Sequence, residues 1–339
     1  MTAPRTRVQR RPVHGVLLLD KPLGFSSNQA LQKAKWLLRA DKAGHTGTLD
    51  PLATGVLPLC FGAATKFSQQ HLNADKRYRA TLRLGQATTT GDAEGEVVTT
   101  ADVPALTQAD LDALAQRMSG PQQQLPPMYS ALKKDGKALY EYARAGQTVE
   151  REPRSIEIFE LNMALALDDQ GFPAIQFDAS CSKGTYIRTL GEDLAKALGT
   201  VGHLRALRRT HTGNFREADC ITVEQLEAMD EIARVKALQP VTVLLPHHQP
   251  VTLDDDNAGR FLSGLRRRTT LADAGEVAVF GFQPPALLGT AYVTAGELVP
   301  TRLLNPLEIQ QMLDQVRLLP DSAGPNDTVH KASPVALPH

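Results

Sequence analysis

Residues 76–85, KRYRATLRLG, alternate more strictly than any other stretch of the chain. Tyr78, Ala80, Leu82 and Leu84 take one side, and Arg77, Arg79, Thr81 and Arg83 the other. A period of two predicts a strand half-buried in a sheet, here with a basic outer face. Further strands are expected at 15–20, 56–61, 156–167, 175–181 and 204–215, the run 56–61 being apolar enough for burial on both faces. A helix is expected at 26–40, where Ser26 or Ser27 can cap it and Ala30, Leu31, Ala34, Leu37 and Leu38 fall at helical spacing. Others are expected at 107–118, 137–145, 186–198 and 223–229, with prolines 121–127 breaking the chain between the first two. Helices scattered irregularly among long strands predict an α+β fold with a central mixed or antiparallel sheet.

A chain of 339 residues suggests two domains. The character changes near residue 247, after which a short helix at 257–265 and strands at 277–282, 288–293 and 298–304 make a small, mostly β module. The expected division is a flexible basic arm at 1–12, a main domain at 13–246, the small module at 247–318 and a disordered tail at 319–339. The chain is 42% hydrophobic and 22% charged, ordinary for a soluble globular protein. It offers no apolar run long enough to span a membrane and no apolar signal core behind its basic start, so the expected location is the cytoplasm. Cys60, Cys181 and Cys220 lie far apart with no CxxC spacing, which predicts reduced, buried thiols rather than disulfides or a zinc site. P-loop and dinucleotide fingerprints are absent as well, so no cofactor or metal is expected. The formal net charge is zero, against a protein that coats nucleic acid indiscriminately. Basic residues nevertheless cluster: Arg5, Arg7, Arg10 and Arg11; Arg205, Arg208, Arg209 and Arg216 with His203 and His211; and Arg266 to Arg268. Each cluster reads equally as a solvated face or a phosphate-binding surface.

The chemistry concentrates in GHTGTLDPLATGVLPLCFG, residues 44–62, which carries four glycines, two prolines and one carboxylate, Asp50. Pro51 fixes its own φ and pushes Asp50 out of the helical region. The result is a stiff loop presenting one acid. Turn formation is the commonest use of Asp before Pro; the other reading is a side chain that must be aimed. A buried carboxylate needs a cation, and CSKGTYIRTLGEDL, residues 181–194, offers Arg188 beside Tyr186. Spacing alone does not bring these residues to Asp50.

Taken together and in order, LLLDKPLGFSS, GHTGTLDPLATGVL, DKRYRATLRLG and CSKGTYIRTL strongly resemble the TruB family of bacterial tRNA pseudouridine synthases. The C-terminal LLGTAYVTAGELVPTRLLN resembles the PUA-type RNA-binding domain of that family. The resemblance runs from about residue 15 to residue 305. It implies the pseudouridine synthase fold with a PUA-like C-terminal domain. It implies isomerisation of uridine to pseudouridine at position 55 in the tRNA T loop, by base flipping, with no cofactor, on a T-arm stem-loop. A monomer without an obligate protein partner is expected. An added role as a tRNA-folding chaperone, or an RNA target like that of the guide-dependent relatives, are the rival expectations. By residue, the resemblance makes Asp50 the catalytic nucleophile, Arg188 its ion-pair partner, and Tyr186 a group at the uracil edge able to assist proton transfer. Tyr78 stacks on the target uracil, Leu207 lines the pocket, and His45 helps displace the base. Lys21, with Pro22, lies beneath the site and reaches a phosphate or the aspartate region. TTTGDAEGE, residues 88–96, departs from the threonine- and aspartate-rich loop of the family, which affects local loop contacts only.

Overall fold

The structure, a computed structural model, describes residues 9–318. The first eight residues of the basic arm and the expected tail at 319–339 lie outside the described residues.

The Tyr78 strand, Lys76–Leu84, lies in the middle of a nine-stranded sheet. The order across it is Gly15–Lys21, Ala53–Phe61, Gly202–Thr212, Lys76–Leu84, Pro173–Cys181, Arg154–Leu167 and Gly120–Gln124, with two short strands off this path. Only the pairing of Ala53–Phe61 with Gly202–Thr212 is parallel along this path, so the sheet is mixed, as expected. The alternation of the Tyr78 strand explains its place. Tyr78, Ala80, Leu82 and Leu84 join one core with the helices Ser27–Leu37, Gln108–Met118, Ile187–Ala197 and Val223–Ala228. Burying those side chains is the main force seating the helices on this face. Ser26 and Thr107 start the first two helices with reciprocal capping boxes.

The opposite face is divided. Over the first two strands, Val16, Leu18, Val56 and Cys60 pack in a second core with Ala278, Leu287 and Leu304. Farther along it is open and charged, with Arg79 3.2 Å from Asp178 across the strand pair. Arg83 corrects the expectation of a uniformly basic outer face: it is buried against Asp168 and Gln170, its guanidinium 4.5 Å from the Phe172 ring centre.

A five-stranded sheet follows, in the order Gln249–Leu253, Ala274–Gly281, Ala286–Thr294, Glu297–Leu303 and Arg267–Arg268, over its own core. The chain then forms a helix, Pro306–Arg317, absent from the sequence expectation although Asn305 and Glu308 cap it reciprocally. It straps the two parts together: Glu308 lies 2.6 Å from Lys66, and Gln315 accepts from the His14 amide at 2.9 Å. Two other expectations change. The run 56–61 is the end of a strand that begins at Ala53, and the proline-rich break contains the edge strand Gly120–Gln124.

The Arg205 cluster is largely self-neutralised. Arg205 grips Asp169 with two bonds, and Arg208 bridges Asp20 and Glu217. Arg209 is buried. These three guanidiniums face their own fold, which corrects the phosphate-surface reading for them. Arg266 and Arg267 likewise pair with Glu297 and Asn257.

Candidate active site

The Asp50 loop is clamped at both ends. Before it, Ala43–His45 pairs with the last residues of Ala53–Phe61. After it, Gly55 sits opposite Arg209 with a φ of 98°, a region open to glycine and closed to most side chains. Within the loop, the buried Ser27 hydroxyl accepts from the Leu49 amide at 2.7 Å. Below it, fully buried Lys21 donates to the carbonyls of Pro22, Phe25 and Pro51. The ammonium thus holds its own turn at Pro22 and Phe25 and, through Pro51, the residue that follows Asp50. Burial lowers its pKa to about 8.

Arg188 comes from the first turn of Ile187–Ala197, and its Nη2 lies 2.9 Å from Asp50 Oδ2. Arg188 is buried, whereas 38% of the Asp50 side chain is exposed. The carboxylate therefore opens toward solvent on one side, and its cation does not. Protein enclosing Asp50 raises its pKa, Arg188 pulls it back, and Asp92 raises it again. Asp92 lies in the 88–96 turn, buried, with Oδ2 3.6 Å from Arg188 Nε. Arg188 also donates to the carbonyls of Thr90 at 2.9 Å and Tyr129 at 2.7 Å. Each guanidinium nitrogen therefore has a partner: Nε faces Asp92, Nη1 binds Thr90 O, and Nη2 meets Tyr129 O and Asp50.

Tyr78 lies directly across from Arg209, and Leu207 across from Ala80, so Tyr78, Arg209 and Leu207 share the core face. Arg209 donates from Nε to Val56 O at 2.8 Å, tying this strand to the exit of the Asp50 loop. The Tyr78 hydroxyl faces that guanidinium, burial raises its pKa, and Asp50 is close enough to raise it further. Tyr186 caps the Arg188 helix and is half-buried, its hydroxyl toward Ser130; burial raises its pKa also. His45 is half-buried, and burial followed by the charge of Arg209 lowers its pKa, leaving the ring neutral at pH 7.

Around Asp50 the structure thus brings Arg188 in direct contact and Lys21, Tyr78 and Tyr186 within electrostatic reach; Leu207 stands beside Ala53 on the adjoining strand, and His45 lies at the entry of the same loop. Sequence reasoning missed Asp92, Arg209 and the carbonyls of Thr90 and Tyr129. Among the described residues no group of three or more His, Cys, Asp or Glu could hold a metal, and no helix is long and apolar enough to cross a membrane.

Comparisons with known proteins agree with this arrangement. Residues 35–187 match the profile of the TruB family pseudouridylate synthase N-terminal domain, and residues 188–251 that of the tRNA pseudouridylate synthase B C-terminal domain. The tRNA pseudouridine synthase B of Verminephrobacter eiseniae (strain EF01-2) is 59% identical over 313 residues, covering 92% of this chain and 95% of that protein. Its namesake from Ralstonia pickettii (strain 12J) is 54% identical over 306 residues, covering 87% and 96%. Among solved structures, a chain of the archaeal box H/ACA sRNP Nop10-Cbf5 complex shares the fold, with a TM-score of 0.62 at 21% identity over 89% of this chain and 88% of that one. A chain of an H/ACA RNP bound to a substrate RNA containing 2′-deoxyuridine aligns equally well, at 22% identity over 86% of each. With family profiles running unbroken through Asp50, Tyr78 and Arg188, and relatives above half identity along nearly their whole length, the chain belongs to the TruB family of tRNA pseudouridine synthases.

Proposed function

We propose that this enzyme isomerises the uridine at position 55 in the T loop of tRNAs, with Asp50 as the catalytic carboxylate. The observation that carries the reading is the half-exposed Asp50 carboxylate held 2.9 Å from a buried guanidinium, in a loop clamped at both ends. The N1–C1′ bond of the nucleotide breaks, the uracil turns, C5 joins C1′, and the C5 proton is given up while N1 gains one. No electron is gained or lost.

A base within a folded loop must first leave its stack, at a cost of a few kcal/mol. Stacking on Tyr78 returns about 1–3 kcal/mol, with Leu207 completing an apolar wall and His45 occupying space on the RNA side. Asp50 then acts at C1′, at C6 of the uracil, or as a base at the sugar; every route requires it ionised and aimed. Arg188 supplies the charge that favours ionisation. Burial raises the Tyr186 pKa, and Tyr186 is assigned to assist the C5 deprotonation, directly or through water. The sheet at 247–318 is proposed as a PUA-type domain gripping RNA beyond the T loop, and 13–246 as the catalytic domain. The protein is expected to work in the cytoplasm as a monomer with no obligate protein partner.

Asp50→Asn tests this reading on a T-arm stem-loop. The expected variant binds the RNA and forms no pseudouridine, and it retains any tRNA-folding activity. Normal product formation removes Asp50 from the mechanism. Pseudouridine mapping of bulk tRNA with and without the gene tests the position: loss elsewhere than position 55 overturns the substrate assignment.

A further inference from the structure

We propose that residues 124–130, QLPPMYS, form a positioning frame that aims Arg188 at Asp50 and fixes Tyr186, with Gln124 as its anchor. This rests on Asp50 being the catalytic group.

Gln124 is buried at the end of the edge strand Gly120–Gln124. Its side-chain amide pairs with the backbone of Tyr186 as a neighbouring strand would: Oε1 accepts from the Tyr186 amide at 2.8 Å, and Nε2 donates to the Tyr186 carbonyl at 3.0 Å. That same carbonyl accepts the first turn's bond from Leu190. The Arg188 helix has no side-chain cap of its own. Gln124 satisfies the cap-residue amide from outside and so sets where the helix starts. Arg188 is two residues on.

The frame touches the functional side chains again through its far end. Arg188 Nη2, the nitrogen paired with Asp50, donates a hydrogen bond to Tyr129 O at 2.7 Å. The bond to Tyr129 O holds the guanidinium plane in place, with Nη2 2.9 Å from the Asp50 carboxylate. Ser130, the next residue, faces the Tyr186 hydroxyl. Between anchor and contacts stand Pro126 and Pro127, which restrict the backbone, and Arg151 holds the Pro126 carbonyl at 2.8 Å. One seven-residue span therefore meets Tyr186 at its backbone and Arg188 at the nitrogen paired with Asp50. Gln124 and Tyr129 are positioning residues: neither need touch the RNA.

Gln124→Met removes both amide bonds at nearly constant length. Its single-turnover pseudouridine rate on a T-arm stem-loop is expected to fall about tenfold at neutral pH, with Kd for that RNA changed less than about twofold. The distinguishing readout is the pH profile. A slackened Arg188 no longer depresses the Asp50 pKa as fully, so the acid limb of the rate profile moves to higher pH. A limb at the wild-type pH, with a rate loss that follows the melting temperature, overturns the proposal, as does a loss accounted for by Kd. Should Gln124→Met fail to fold, Arg151→Gln frees the Pro126 carbonyl from the outside; the same, smaller limb shift supports the frame and an unmoved limb overturns it. Asp50→Asn runs alongside. If it remains active, the catalytic reading itself fails; if it is dead while Gln124→Met keeps the wild-type profile, only the frame fails.

Discussion

Replacing Gly55 with alanine tests whether the Asp50 loop is wedged against the neighbouring strand. At a φ of 98° an L side chain is strained, at a cost of about 1–3 kcal/mol. An ideal Cβ would also stand 3.0 Å from the backbone nitrogen and carbon of Arg209, and closer still to its carbonyl oxygen. Those are not atoms that can swing aside. Arg209 is paired with Gly55 on one flank and with Tyr78 on the other, so relief means parting strands at the centre of the sheet. Counting the clash as comparable to the strain, the loss totals about 2–6 kcal/mol, which lowers the melting temperature by on the order of 4–12 °C. Gly44→Ala is the control, because Gly44 has ordinary φ and nothing within 4 Å of an added Cβ; it should melt within about 1 °C of wild type. Thermal unfolding by circular dichroism reads both. Pseudouridine formation is then measured at a temperature where each variant is folded, and Gly55→Ala should still be slow because the loop carrying Asp50 has been displaced. A Gly55→Ala protein that melts with the wild type refutes the wedge.

Tyr78→Phe should keep stacking and most of the single-turnover rate, whereas Tyr78→Leu should lose about 1–3 kcal/mol of base contact; equal losses count against a platform. In the wild type, the rate should rise with pH through a pKa above the ordinary carboxylate value, since burial raises Asp50 and activity needs the ionised form. Arg188→Met should move that limb higher, because Arg188 is what pulls the pKa down. The same variant leaves buried Asp92 without its cation, and should lose about 3–5 kcal/mol of stability by urea unfolding; an unshifted limb in a folded protein refutes the electrostatic role.

Much of the frame was legible because local signals agreed with tertiary ones. The alternation of Tyr78 to Leu84 predicted its strand, and the cap at Ser26 marks its helix in the structure as in the sequence. The helix at 306–317 was equally signposted by Asn305, Pro306 and Glu308 and was overlooked. Arg209 was different. It stands among Arg205 and Arg208 with nothing to tell it apart, and strict alternation would have placed it wrongly, because the strand's register shifts between Leu204 and Ala206. A bulge of this kind has no sequence signature. Nor do carbonyl partners: Thr90 and Tyr129 hold Arg188 through backbone oxygens that every residue type supplies. Asp50 and Arg188 themselves were joined by family resemblance, since no spacing rule spans two distant strand-flanking loops.

The difference in exposure between Asp50 and Arg188 explains why the ion pair is built as it is. An exposed pair is worth at most about 1 kcal/mol in water, too little to fix a carboxylate by itself. Here the guanidinium is already out of water, held by Asp92, Thr90 and Tyr129 before any RNA arrives. Asp50, by contrast, keeps part of its side chain exposed. On the proposed mechanism, a flipped uracil covering that exposed part would remove the water that screens the pair, so the same 2.9 Å contact would strengthen as the site closes. Closure also works against ionisation, by desolvating the carboxylate. The two effects oppose each other at one oxygen, and the fixed orientation of Arg188 decides which prevails. A cation free to swing would lose that contest; one locked from behind by buried partners costs no reorganisation when the base arrives. The apolar, glycine-hinged loop and the crowded guanidinium are thus two halves of one requirement: a carboxylate that stays charged as it is being buried.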